Sequence, residues 1–135
     1  MTDITPKRKP EALTEFQRGY IIHSRPWPDI IARFQQSERF RPMLRLVESL
    51  AASPASSELF ATTSMWDIWI SDSEDFRLYD STLRVSYYFV ERKFEFWHCT
   101  FSGHDDRKTC PESEALQTLR LFLRLKFGVL YDPVA

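Results

Sequence analysis

The stretch Ser81–Phe101, STLRVSYYFVERKFEFWHCTF, decides the fold. Leu83, Val85, Tyr87 and Phe89 share one parity in its first half, and Phe94, Phe96 and His98 share one parity in its second. Successive side chains of a strand point to opposite faces, so this alternation of β-branched and aromatic residues is the pattern of half-buried strands. The two runs are too close in sequence for any join but a hairpin. With Glu91 and Arg92 as the central turn residues, Val90 faces Lys93. Phe89, Tyr87 and Val85 then face Phe94, Phe96 and His98. A one-residue slip would send these partners to opposite faces. Glu-Arg is poor chemistry for a two-residue primed turn, which favours Asn or Gly. A four-residue loop of the same parity is the alternative.

Upstream, residues 63–71, TSMWDIWIS, also alternate, with Trp66, Ile68 and Ile70 on one face. They read as a third strand. Residues 75–80, DFRLYD, add a short fourth strand or lengthen the second around a bulge.

The flanks are helical. Leu13, Phe16 and Tyr20 give Glu11–His23 a weak helical period. Pro26 and Pro28 break it, because each disfavours the α region for the residue before it. Asp29 is placed to cap a short helix carrying Ile30, Ile31 and Phe34. Pro42 suits the first turn of the next helix, where its missing N–H is harmless. That helix groups Met43, Leu44, Val47, Leu50 and Ala51, and ends before Pro54. At the other end, Thr109 and Glu112 have capping-box spacing around Pro111. Leu116, Leu119, Phe122 and Leu123, widened by Leu121 and Leu125, form an apolar stripe. Arg124 and Lys126 complement the helix dipole, and Gly128 suits the left-handed residue after a helix. The expected fold is α+β, a three- to four-stranded antiparallel β-meander with N-terminal helices and one long C-terminal helix. Residues 1–10, with Pro6, Pro10 and the run Lys7-Arg8-Lys9, read as a mobile polar tail. Residues 11–135 read as one domain.

Composition excludes several functional classes. An aromatic content of 15% in 135 residues argues against disorder. Three glycines, far apart, leave no Gly-rich phosphate loop. A net charge of −1 provides no global field toward nucleic acid or anionic lipid. No apolar run approaches the roughly 20 residues of a membrane span. The start lacks the apolar core of a signal peptide. Two cysteines are too few for a disulfide scaffold. A cytoplasmic protein is expected, with no nucleic acid, membrane or cofactor partner.

What remains points to protein binding. Parity places Met65, Asp67, Trp69, Arg84, Tyr88, Glu95 and Trp97 on the sheet face opposite Ile68, Val85 and Phe96. Exposed Trp and Tyr among charges resemble an interface hot spot, whereas a second layer of helices would make the same residues core. Asp72, Glu74, Asp75 and Asp80 form an acidic stretch suited to a basic partner. The partner is another protein or a second copy of the chain. Small bacterial inhibitors and immunity proteins share this order of elements, an analogy of architecture alone. One alternative is a small-molecule pocket lined by Tyr87, Phe96 and His98. Another is an enzyme or metal site around His98, His104 and Cys110, near Cys99, Asp105 and Asp106. His98 and Cys99 are strand neighbours pointing apart, and the spacing fits no paired-ligand pattern. Cys110, placed at a helix start beside Arg107 and Lys108, is the candidate reactive thiol, because that setting favours thiolate. No general base completes it. The pairs Glu112 with Glu114 and Asp105 with Asp106 read as ordinary capping and solvation.

Overall fold

A computed structural model of the chain describes Ile4 and residues 21–77, 81–100 and 105–133. The tail other than Ile4, the expected helix through residues 11–20, Asp80 and His104 lie outside the described residues. The elements, in chain order, are β1 (Ile21–His23), α1 (Trp27–Phe34), α2 (Arg41–Ala51), β2 (Phe60–Ser64), β3 (Asp67–Ser71), β4 (Asp75–Arg77), β5 (Thr82–Tyr88), β6 (Lys93–Cys99), β7 (Asp106–Pro111) and α3 (Ala115–Phe122). A π-helical turn, Leu123–Phe127, continues α3. Strands β2-β3-β5-β6-β7 form one antiparallel sheet, while β1 and β4 form a separate two-stranded ribbon.

The α+β class is as expected, but the sheet has five strands rather than three or four. Two segments account for the difference. TSMWDIWIS is not one strand: Met65 and Trp66 turn the chain, and β2 pairs back on β3 with Ser64 opposite Asp67. Met65 adopts φ +57 at the first central position of this turn, a conformation usually given to glycine. Thr109 is not a helix cap either. It lies in β7 opposite Glu95, and a 3-10 turn over Glu112–Glu114 precedes α3. The long terminal helix is therefore a 3-10 turn, two α turns and a π turn. Gly128 closes it at φ +67, and the Val129 N–H donates to the Leu123 carbonyl. Ile21–His23, read as the end of a helix, is strand β1.

The central hairpin keeps the expected parity with the longer loop. Tyr87 lies opposite Phe94, Val85 opposite Phe96 and Leu83 opposite His98, leaving Phe89–Arg92 as the turn. Arg92 supplies the positive φ of +56. In α1, Pro26 precedes the first turn, and Asp29 donates its N–H back to the Pro26 carbonyl instead of capping. In α2 the buried stripe is Met43, Leu46, Val47 and Leu50, with Leu46 where Leu44 was expected.

A single core joins the three helices to one sheet face. Ile30, Phe34, Met43, Leu50, Leu119 and Phe122 pack with Ile68, Val85, Phe94 and Phe96. Among the described residues no helix is long and apolar enough to cross a membrane.

Candidate functional site

In an antiparallel sheet the β2–β3 and β5–β6 turns must emerge at the same end. At that end the chain exposes apolar side chains. Met65 is 80% exposed, Val90 77%, and Tyr88 and Phe89 41% each. Beneath them runs a ladder of rings and guanidinium groups. Arg33 of α1 donates from Nε (3.1 Å) and Nη2 (2.8 Å) to the Met65 carbonyl. Its guanidinium lies 4.1 Å from the Trp66 ring centroid. Trp66 stacks on Phe40, with centroids 4.8 Å apart and planes within 9°. Phe40 meets Phe89 edge to face at 6.0 Å, and Arg39 covers Phe89 at 5.0 Å. The order along the ladder is thus Arg33, Trp66, Phe40, Phe89, Arg39.

The clamp explains how a methionine holds a left-handed turn position. That conformation is disfavoured by about 1–2 kcal/mol for a residue with a Cβ, and the two charge-assisted bonds to its carbonyl offset the cost. On the same side of α1, Arg25, Asp29, Gln36 and Thr63 join Arg33 and Met65 around an open groove of about 440 Å³. Behind the β5–β6 loop, the Tyr87 hydroxyl donates to Glu112 Oε2 at 2.7 Å, and Arg92 approaches the same carboxylate at 3.6 Å. Burial, reinforced by the Glu112 carboxylate, pushes the Tyr87 hydroxyl up to about 12.

The outer sheet face gathers Asp67, Trp69, Arg84, Tyr88, Glu95 and Trp97 as parity assigned them, while Met65, assigned to it too, sits in the β2–β3 turn. Register aligns Thr62, Trp69, Arg84, Trp97 and Arg107 in one row across the five strands. Arg84 pairs with Asp67 through Nε (2.7 Å) and Nη2 (2.5 Å), and lies 5.1 Å from the Trp69 ring. Arg107 covers Trp97 at 3.9 Å. Trp97 Nε1 donates to Asp105 Oδ2 at 2.9 Å. Tyr88 contacts Glu95 at 3.5 Å and lies under Lys93. Trp69, however, is only 3% exposed, in a small cluster with Cys99, Phe60 and Trp97 that contains no residue of a described helix. This face therefore offers Trp97 and Tyr88 to solvent but not Trp69, and its charges are largely matched within it.

The remaining candidates are dispersed. Asp72, Glu74 and Asp75 are exposed after β3, at the end of the sheet away from the two hairpin turns, and His23 Nδ1 pairs with Asp75 at 2.7 Å. Tyr87, Phe96 and His98 are buried against other rings: Phe94 at 4.9 Å, Phe122 at 5.8 Å and Phe127 at 5.8 Å respectively. They fill the layer between sheet and terminal helix. His98 and Cys99 do point to opposite faces, and among the described residues no group of three His, Cys, Asp or Glu side chains is arranged to hold a metal. Cys110 is on strand β7, not at a helix start, and is buried. Burial raises its thiol despite a bond with Thr118. Burial likewise pushes Cys99 up to about 12, with the Asp105 carboxylate adding to it. Both shifts oppose thiolate formation.

The ladder has no local signature in the sequence because Phe40, Trp66 and Phe89 are distant in the chain. One signal was available. Two turns without Gly or Asn carried Met, Trp, Phe and Val, residues a turn does not need. Compared with protein-family models, with curated proteins and with solved structures, the chain finds no match in any of the three.

Proposed function

We propose that this chain is a non-catalytic protein-binding module whose contact surface is the hairpin end, extended by Tyr88 and Trp97 onto the outer sheet face. One observation carries the reading. Met65, Tyr88, Phe89 and Val90 are exposed together over rings already ordered by Arg33 and Arg39. Met, aromatic residues and Arg are the types enriched at interface centres, and a contiguous apolar patch on a surface marks a contact site. Rings fixed by stacking also lose little rotamer freedom on binding.

The sheet-face version is narrowed by burial. Trp69 is already covered and works as support, so the contact weight moves to the sheet end. The test is a comparative capture with the whole chain as bait. Wild type should retain a partner that Val90→Glu loses, while Leu130→Ser, at an exposed apolar residue beyond the terminal helix, retains it. Equal retention by all three would refute the assignment of the surface.

A further inference from the structure

We infer that the segment docking on the hairpin end is an acidic peptide stretch carrying apolar side chains, an inference that rests on the binding surface proposed above. Stacking uses the faces of the Arg33 and Arg39 guanidinium groups and leaves their edges to other partners. Arg33 spends its donors on the Met65 carbonyl and on Gln36. Arg39 lies on Phe89 and has no ion pair among the described residues, and the same holds for Arg25 at the groove. Among the described residues the acids nearby are few. Glu38 is paired with Arg41 at 3.3 Å, Glu112 receives Tyr87 and Arg92, and Asp29 lines the groove beside Arg25. Glu91 in the turn is exposed.

The surface thus sets apolar tips beside the guanidinium edges of Arg39 and Arg25, which lack a carboxylate among the described residues. A guanidinium edge binds a carboxylate through two parallel bonds, and at Arg39 the Phe89 ring beneath holds the fork in place. A basic segment would bring like charges together as water leaves the contact, which opposes binding. A second copy docked about a two-fold axis would set Arg33 and Arg39 against the same arginines. The acidic Asp72–Asp75 segment is at the far end of the sheet, so it meets the arginines of another copy only head to tail, in an open chain. A nucleic acid strand supplies phosphates, but the most exposed tips, Met65 and Val90, are aliphatic, and Arg39 and Lys93 already lie over the Phe89 and Tyr88 rings on which its bases would stack.

The experiment is a selection of random 12-residue displayed peptides on the immobilised full chain, with Val90→Glu as counter-selection. Recovered sequences should carry at least two Asp or Glu beside Leu, Phe, Trp or Met. Binding of the labelled synthetic peptides, followed by anisotropy, should weaken about tenfold in Arg39→Ala and far less in Arg39→Lys. It should also weaken as salt rises. Recovery of neutral or basic apolar peptides that Val90→Glu no longer binds would overturn the acidic partner and leave the binding surface standing. Recovery of nothing, or of peptides that Val90→Glu binds equally, would overturn both. A 20-nucleotide oligo(dT) that displaces the peptide at comparable concentration would also overturn the inference, in favour of nucleic acid.

Discussion

Lys126→Met should destabilise the chain by about 3 kcal/mol, because it removes the cation from a nearly closed ion pair. Lys126 Nζ is bonded to the Asp106 carboxylate, with side-chain exposures of 2% and 15%. Breaking a buried pair from one side costs about 3–5 kcal/mol, since the remaining charge is left in a medium that solvates it poorly. The residual exposure of Asp106 places this pair at the lower end of that range. The Met side chain keeps the burial of the lysine stem, so little of the loss comes from packing. Removing both charges, as in Lys126→Met with Asp106→Leu, should return stability to within about 1 kcal/mol of wild type, because no charge is then desolvated. Urea unfolding followed by tryptophan fluorescence measures each corner of this double-mutant cycle. At this chain length 3 kcal/mol corresponds to a drop in Tm of roughly 10 °C. The exposed pair Arg120–Asp132, at 3.4 Å, is the control. Arg120→Ala should cost under about 0.5 kcal/mol. A Lys126→Met protein within 1 kcal/mol of wild type would refute the reasoning, and so would a double variant as unstable as the single one.

The other expectations concern titration, packing and the turn. Tyr87 and Cys99 keep their protons in the folded chain up to about 12, while their ordinary values are 10.0 and 9.0. The unfolded chain releases these protons first, so their contribution to stability is complete below pH 9 and declines between pH 9 and 12. Urea midpoints that stay level across that window would contradict the burial of both groups. Neither cysteine should react quickly with a disulfide reagent at pH 8 until the chain is unfolded, as both thiols are buried and raised. A fast native reaction at Cys110 would restore the activated-thiol reading. Trp69→Ala should destabilise by about 3 kcal/mol or more, as expected for deleting a buried ring, and Trp97→Ala by less; a neutral Trp69→Ala in thermal melts would mean that face is open. Met65→Gly should change stability by no more than about 0.5 kcal/mol. Relief at a left-handed position is offset by the greater freedom of glycine in the unfolded chain. The same variant should weaken partner binding measured by calorimetry, and undiminished affinity would remove Met65 from the contact.

Where each strand buries one face and exposes the other, the sequence reveals it. β6 shows this from Lys93 to His98, and β5 puts Leu83, Val85 and Tyr87 on the core side although Thr82 and Ser86 opposite are buried too; the paired parities limit the hairpin to registers two residues apart. The choice between those registers fell to the turn, and Arg92 at positive φ resolves it toward the longer loop. The edge strands were invisible for the opposite reason. In β7 the sequence DRKTCP buries only Cys110; on the same parity Lys108 is exposed and Asp106 is a charged residue paired with Lys126. In β2 the sequence FATTS carries only small and hydroxyl residues after Phe60. Thr109 and Glu112 imitate a cap because spacing alone does not say whether the first of them is already paired in a ladder. Trp66 imitates a strand residue because the turn at Met65 preserves parity. Contacts among residues 33, 40, 66 and 89 come from tertiary closure, which no local period encodes.

That closure also supports the proposal that a partner binds at the sheet end. The core face of the sheet is occupied by the helices. On the outer face, Asp67 and Asp105 satisfy Arg84 and Trp97, so a partner there would have to replace bonds already made. The β7 edge carries Arg107, Lys108 and Pro111, a composition that discourages strand addition. On the β2 edge, Arg25 already bonds the Ala61 carbonyl. At the hairpin end, by contrast, the inward and outward faces meet across two turns, and side chains of both parities reach solvent over a base of stacked rings. Apolar area is exposed there on a support that is already ordered. Binding then gains burial without an equal loss of conformational freedom.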